Sequence, residues 1–198
     1  MVIDLEKIID NLLDFYDFKD KTVISIGAGG GQFYEYAFKT KHVTAVDNDK
    51  GALEKLKESI RKENLFDKFR FIHADFYRVK EKGDLLMFDF CLHEIPNPKK
   101  AIQHALTMSS DILINDHWVE SEWAYIVDED EKVRKSWEAM EKFNIRKIKR
   151  YDTFQFFNNY EELFNKVKGQ GYNSIKRIER YVDKKDIRIP MSYGLVLI

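Results

Sequence analysis

The sequence predicts an α/β fold: a doubly wound, mostly parallel seven-stranded sheet with a C-terminal β-hairpin and an inserted helical cap. Three observations carry this. Short β-branched runs alternate with stretches at helical spacing, and a Gly-rich turn follows directly on the first such run. Residues 85–90 are nearly continuous in apolar side chains, as a strand covered on both faces should be. A length of 198 residues fits one domain.

In residues 3–16, Ile3, Leu5, Ile8, Ile9, Leu12, Leu13 and Tyr16 share one helical face. Residues 23–26 read as a strand, residues 27–31 as its glycine turn, and residues 32–38 as a helix. A second strand at 42–46 stops at Asp47-Asn48-Asp49, and Asp49 can cap the helix carrying Leu53, Leu56 and Ile60. Residues 69–73 and 85–90 form the third and fourth strands. Asn97 and Pro98 open a helix with Ile102, Ala105 and Leu106, since proline suits a first helical turn. Residues 112–114 are a fifth strand.

Beyond it, residues 119–150 turn helical and heavily charged. Asn158 or Asn159 caps a helix through Val167, ended near Gly169 and Gly171. Residues 172–182 and 193–198 read as two late strands joined by residues 184–190. The expected organisation is a single domain over 1–198. It comprises an N-terminal helix (1–19), a ligand-binding core (20–118), a helical cap insertion (119–152), and a closing helix with hairpin (153–198).

Composition narrows the function classes. One cysteine excludes an intrachain disulfide and any Cys-rich metal cluster. The longest uncharged run, residues 22–34, is too short to span a bilayer and holds four glycines. The opening MVIDLEKIID has neither the basic nor the apolar part of a signal peptide. A cytoplasmic location with no membrane partner is therefore expected. The net charge of −1 hides an asymmetry: residues 1–139 hold 20 Lys/Arg against 27 Asp/Glu, and residues 140–198 hold 13 against 7. A basic final third can attract an anionic partner. It serves equally as a solvated helix and a lysine-guarded edge strand. No RNA-binding aromatic motif or zinc-finger spacing accompanies it, so nucleic acid is not the expected partner.

Ligands of open parallel sheets bind beyond the carboxyl ends of the strands. Gly27, Gly29 and Gly31 lie at that edge, where a tight turn and close ligand approach leave no room for a Cβ. The dinucleotide pattern G-x-G-x-x-G/A fails at Gln32, and no Gly-Lys-Ser/Thr follows to make a P-loop. Asp47 closes the second strand, placed to accept hydrogen bonds from both hydroxyls of a ribose. Asp75 closes the third, where a carboxylate can accept from an adenine amino group while Phe76 flanks the ring.

VISIGAGGGQF (23–33), VTAVDND (43–49), FIHADF (71–76) and DLLMFDFCLHEIPNP (84–98), taken in this order, resemble the successive motifs of class I S-adenosylmethionine-dependent methyltransferases. The stretch 84–98 is similar to the segment found in the small-molecule subgroup of that family. The likeness covers residues 20–117 and returns in the final strand pair. It implies S-adenosylmethionine as cofactor, with S-adenosylhomocysteine as its product. Gly27 and Gly29 would cradle the methionine part and Asp47 the ribose, with Gly31 and Asn48 also among the cofactor-binding residues. Asp75 and Phe76 would take the adenine, and Asp89 and Phe90 the sulfonium. Three departures stand out: Ser25 replaces the usual acid, Phe90 and Cys91 follow Asp89 in place of Pro-Pro-Tyr, and residues 106–111 lack Lys-Pro-Gly-Gly.

Methyl transfer from a sulfonium is an in-line displacement, so positioning dominates, and a base adds about 10²–10⁴-fold. His93, Glu94 and His117 follow the fourth and fifth strands and are the candidate bases. No metal is expected; the alternative is a magnesium ion on Asp89, Asn115 and Asp116. His73 and His104 read as structural. Acceptor choice is expected in the inserted segment, where Trp118, Trp123, Tyr125, Trp137 and Phe143, with Phe154, Phe156 and Phe157, can roof a pocket. These aromatics can equally pack on the domain itself or form a homodimer contact. The expected activity is methyl transfer to a small-molecule acceptor. The alternatives are an RNA or protein methyltransferase, a non-catalytic binder of the cofactor or its product, and an NAD-dependent oxidoreductase, which Gln32 disfavours.

Overall fold

The computed structural model describes residues 4–29 and 33–198. Seven strands form one sheet: β1 (Thr22–Ile26), β2 (His42–Asp47), β3 (Phe69–His73), β4 (Leu85–Asp89), β5 (Asp111–His117), β6 (Lys147–Asn159) and β7 (Lys185–Leu197). Their order is β3-β2-β1-β4-β5-β7-β6, with β1 to β5 parallel and β7 antiparallel to both its neighbours. The chain runs outward from β1 through β2 to β3, then returns to place β4 on the other side of β1. That reversal makes β1 and β4 the switch point, where the carboxyl ends splay into a crevice.

Among the described residues, seven α-helices surround the sheet: α1 (Leu5–Phe15), α2 (Lys50–Lys62), α3 (Pro98–Leu106), α4 (Glu122–Ile126), α5 (Asp130–Met140), α6 (Tyr160–Val167) and α7 (Tyr172–Ile178). Alternate strand residues feed two cores. Val23, Leu85, Met87 and Leu113 meet Ile8 and Leu12 of α1, Leu53 and Leu56 of α2, and Leu163 of α6. Ile24, Leu86, Phe88, Ile112 and Ile114 meet Ala101 and Ile102 of α3 and Val133, Trp137 and Met140 of α5. Helix starts follow the polar residues expected. Asp49 accepts from Gly51 N at 2.7 Å, Asn97 from Lys100 N at 3.0 Å, and Asn159 from Glu162 N at 2.9 Å.

Four expectations are corrected. The helix expected over 32–38 is a single 3-10 turn, Glu35–Phe38; with only Tyr36 and Ala37 buried, it has too little apolar contact to offset helix nucleation. Gln32 and Gly31 lie outside the described residues. Residues 147–159, divided in the sequence reading between cap and closing helix, are strand β6. Its first half is the exposed sheet edge, so Lys147, Lys149 and Arg150 hide the strand alternation, which surfaces only at Thr153, Gln155 and Phe157. Residues 172–182 are helical, not a strand, because Ser174 and Ile178 are the buried positions and lie four apart. Residues 184–190 are not a linker but largely the first half of β7. Pro190 is tolerated there because that half pairs only with β6, leaving the other edge without a partner strand. The closing antiparallel pair is therefore β6–β7.

Candidate active site

The crevice at the ends of β1 to β4 holds a cavity of about 450 Å³, inside the range of about 300–1,000 Å³ typical of ligand pockets. Gly27, Gly29, Asp47, Asn48, Asp75, Phe76, Asp89, Phe90 and Glu94 all line it; His93 and His117 do not.

The glycine turn is built around Asp47. Its Oδ2 accepts from Gly29 N at 2.8 Å and its Oδ1 from Asp49 N at 2.8 Å. Each oxygen keeps a lone pair for a ligand hydroxyl. A Cβ on Gly29 would stand 2.5 Å from Asp47 Oδ2 and 2.4 Å from the Ala52 Cβ. Gly27 has φ +69°, and its missing Cβ leaves the space taken by the Cys91 side chain. Cys91 donates its thiol to Ile26 O at 3.2 Å, and burial pushes its pKa well up, so it is a neutral wall residue.

On the opposite side, Asp75 accepts from Tyr77 N at 2.8 Å, which fixes its carboxyl at the turn after β3. Phe76 and Tyr77 form the wall beside it. Burial raises the Asp89 pKa to about 7, with Asp116 and Glu35 adding to the rise against a hydrogen bond from Asn115 Nδ2 at 3.1 Å. Phe90 follows in a left-handed conformation (φ 47°), and its N–H donates to Asn115 O at 2.7 Å. Its ring stacks on Phe33 with centroids 5.8 Å apart. Phe33 and Cys91 are lining residues the sequence reading did not single out; the only signal was their position beside the glycine turn and after Asp89.

Ser25, where the resembled family carries an acid, is buried and hydrogen-bonded to Tyr36. Its hydroxyl is thereby committed within the fold.

The three candidate bases are placed differently from expectation. His93 sits on the 3-10 turn Leu92–Glu94 and is buried, with Nδ1 2.5 Å from Asp116 Oδ1 and its own N–H donating to Asp116 Oδ2 at 3.0 Å. Burial alone would lower its pKa, but Asp116, Glu129 and Glu94 raise it to about 12. A group that keeps its proton so firmly is a cation at neutral pH and not a general base. Glu94 is held down to about 2, chiefly by His93 and further by Lys132, whose Nζ lies 3.0 Å and 3.1 Å from its two oxygens. His117 ends β5 behind Phe90, with ring centroids 5.1 Å apart. Burial lowers its pKa to about 4, and its Nδ1 has no hydrogen-bond partner among the described residues.

Nor do Asp89, Asn115 and Asp116 converge as magnesium ligands. Asn115 presents its amide nitrogen to Asp89, while Asp116 turns both oxygens to His93 and its Oδ1 also to His117 N. His73 and His104 bond the backbone carbonyls of Asn48 and Val79, each at 3.0 Å.

The cap aromatics do not roof the cavity. Trp118 and Trp137 pack together with centroids 4.3 Å apart, and Trp123 packs on Phe157 at 5.7 Å. Trp137 Nε1 donates to His117 O at 2.7 Å, tying α5 to the end of β5. Tyr125 and Phe154 are exposed, and neither lines the cavity. None of the basic residues of the final third lines the cavity, and four of the thirteen are ion-paired: Arg146 with Asp111, Arg150 with Asp152, Arg177 with Asp128 and Arg180 with Glu122. Among the described residues, no helix is long and apolar enough to cross a membrane.

The sequence matches the methyltransferase-domain family over residues 17–178. No curated protein matches it by sequence. Solved structures share the fold. A candidate methyltransferase from Bacillus halodurans is 15% identical with a TM-score of 0.69, covering 98% of this chain and 97% of that one. An S-adenosylmethionine-dependent methyltransferase from Aquifex aeolicus is 18% identical with a TM-score of 0.59, covering 99% and 90%. Magnesium protoporphyrin IX methyltransferase from Synechocystis, solved with bound S-adenosylhomocysteine, is 10% identical with a TM-score of 0.58, covering 98% and 81%.

Proposed function

The chain belongs to the methyltransferase-domain family, with S-adenosylmethionine as its cofactor, and from that premise we propose that it methylates a small-molecule acceptor. The observation that carries the reading is the cavity itself: a recess of about 450 Å³ between the Asp47–Gly29 turn and the Phe33–Phe90 pair. When bound, the cofactor supplies an electrophilic methyl group on a sulfonium.

The chain's own residues divide the work by position. Gly27 and Gly29 form the turn that receives the methionine part, their missing Cβ atoms leaving room for Cys91, Ala52 and Asp47 to close around it. Gly31, assigned to the same turn, lies outside the described residues. Asp47, beside Asn48, accepts from the ribose hydroxyls at charge-assisted strength. Asp75 accepts from the adenine amino group while Phe76 bounds the ring. Asp89 and Phe90 meet the sulfonium end, one by charge and the other by its ring face. The acceptor enters between Phe33, Phe90 and Glu94. Holding it about 3–3.5 Å from the reacting carbon lowers the barrier by roughly 7–11 kcal/mol without any proton transfer. Since His93 keeps its proton and Glu94 is ion-paired, orientation is the main contribution; His117 is the one candidate base left, and it stands behind Phe90.

Charge favours a small acceptor over RNA. The basic stretch of β6 is three strands from β4 in the sheet order, roughly 14 Å at the usual strand spacing, and Arg150 within it is paired with Asp152. The rim on that side carries Glu94 and, behind it, Glu129. Such chemistry suits the cytoplasmic location expected from the sequence.

The test is transfer of labelled methyl from S-adenosylmethionine into a small-molecule extract, total RNA and total protein, offered separately. Label in the small-molecule fraction supports the proposal. Label in RNA or protein transfers the assignment to that polymer. Cofactor binding without any transfer leaves a non-catalytic binder.

A further inference from the structure

Behind the Phe90 wall, three chain segments bring ligating atoms together. His93 comes from the turn after β4, His117 from the end of β5, and Glu129 from the N-terminal cap position of α5. One ring nitrogen of each histidine and one carboxylate oxygen of Glu129 lie within 4.8 Å of one another. We propose that His93, His117 and Glu129 form a site for one divalent cation of the zinc class, with Glu94 adjoining it on the cavity side.

Three independent observations point there. The first is how His93 is held. Asp116 takes Nδ1, which leaves Nε2 directed at the cluster; this is the carboxylate–histidine arrangement that orients and strengthens a metal-binding imidazole. The second is spacing. His93 Nε2 lies 3.5 Å from Glu129 Oε2 and 3.5 Å from Glu94 Oε1, beyond the ordinary hydrogen-bond length. It matches the edge of a tetrahedron around a metal with bonds of 2.0–2.2 Å, about 3.3–3.5 Å. The third is an unpartnered atom: His117 is 7% exposed, and its Nδ1 bonds nothing among the described residues. A buried imidazole nitrogen without a partner is costly, and a ligand satisfies it.

Charge agrees with geometry. Asp116, Glu94 and Glu129 converge on the cluster and Lys132 compensates one of them, at Glu94. In the metal-free chain the proton on His93 offsets part of this charge; a divalent cation bound at Nε2 displaces that proton, and with His93 neutral the ion closes the balance. Two nitrogens with a carboxylate suit zinc over magnesium, which prefers all-oxygen surroundings. The expected magnesium trio of Asp89, Asn115 and Asp116 is dispersed, and Asp116 serves instead to orient His93. The bound ion would fasten the cap, through Glu129, to the sheet edge beside the cavity.

The experiment is titration of the metal-stripped, tag-free chain with Zn²⁺ alone and with Co²⁺ alone, followed by calorimetry and visible absorption. The proposal expects one equivalent per chain and the intense d–d bands of a tetrahedral nitrogen–oxygen site. Glu129→Gln, at a half-buried helix start, should keep the far-ultraviolet circular dichroism of the parent. It should weaken Zn²⁺ binding at least about 10–100-fold, the loss seen even for outer partners of metal ligands. His117→Gln should do the same. Failure of the parent chain to take up either ion overturns the proposal whether or not the variants fold. So does binding that both variants retain unchanged.

Discussion

Asp47 Oδ2 accepts the backbone N–H of Gly29 at 2.8 Å, so the acid that ends β2 also shapes the glycine turn that follows β1. Under the proposed assignment of Asp47 to the ribose, ligand recognition and loop geometry depend on one carboxylate. Asp47→Ala should weaken S-adenosylmethionine binding about 10–100-fold, since hydrogen bonds to a charged group contribute about 1.5–3 kcal/mol. Calorimetric titration checks it, and unchanged affinity would put the ribose elsewhere.

Gly29→Ala acts on the same contact from the other side. The added methyl would stand 2.4 Å from Ala52 Cβ and 2.5 Å from Asp47 Oδ2, so the turn must move. Overpacking of this kind costs about 1–3 kcal/mol. The expected result is a lower unfolding midpoint together with at least tenfold weaker cofactor binding.

With Asp89 at the sulfonium end as proposed, cofactor binding should depend on pH. Burial raises its pKa to about 7, with Asp116 and Glu35 adding to the rise and the Asn115 amide opposing it. In the unfolded chain the same carboxyl titrates near its usual value of about 3.9. Between those two values the folded state binds more protons than the unfolded state, so Asp89 makes stability fall as pH rises from about 4 to about 7. Asp89→Asn should remove that decline. A sulfonium beside the carboxylate favours its ionised form. Affinity for S-adenosylmethionine should therefore rise through pH 7, by up to about tenfold per pH unit below it. S-adenosylhomocysteine, without the sulfonium charge, should show a shallower slope. Equal slopes for the two ligands would remove Asp89 from the sulfonium.

Trp137 binds the cap to the sheet through its indole N–H and the His117 carbonyl, 2.7 Å apart. Trp137→Phe removes the donor and leaves that buried carbonyl without it. A loss of about 1–3 kcal/mol in denaturant unfolding is expected. Faster hydrogen exchange should follow in α5 (Asp130–Met140) before the strands.

Where side-chain chemistry and backbone period agree, the sequence was readable. Asp47 and Asp89 end parallel strands and Asp75 stands two residues beyond a third, so the carboxyl edge of the sheet is legible from pattern alone. The β6 edge was not legible, because its outward half is charged on both faces and carries no period of two. Residues 172–182 misled for the opposite reason. Tyr172, Ile175 and Val182 are β-prone, yet Tyr172 and Val182 are exposed and the buried positions follow a helical spacing. His93 looked like a base because it follows β4. Its protonation depends on Asp116 and Glu129, 23 and 36 positions along the chain, and no local spacing encodes that. The cap aromatics were legible as a cluster, but only tertiary packing decides whether they face a ligand or one another.

The central claim is that the crevice between β1 and β4 binds S-adenosylmethionine. Thermal unfolding with S-adenosylmethionine, S-adenosylhomocysteine and NAD, each in large excess, tests it most directly. A ligand at 100 times its dissociation constant adds about 2.7 kcal/mol, which for a chain of this length raises the midpoint by roughly 5–10 °C. The account predicts that rise with both sulfur ligands, its loss in Asp47→Ala, and no response to NAD. A rise with NAD alone, or none with either sulfur ligand, would contradict it.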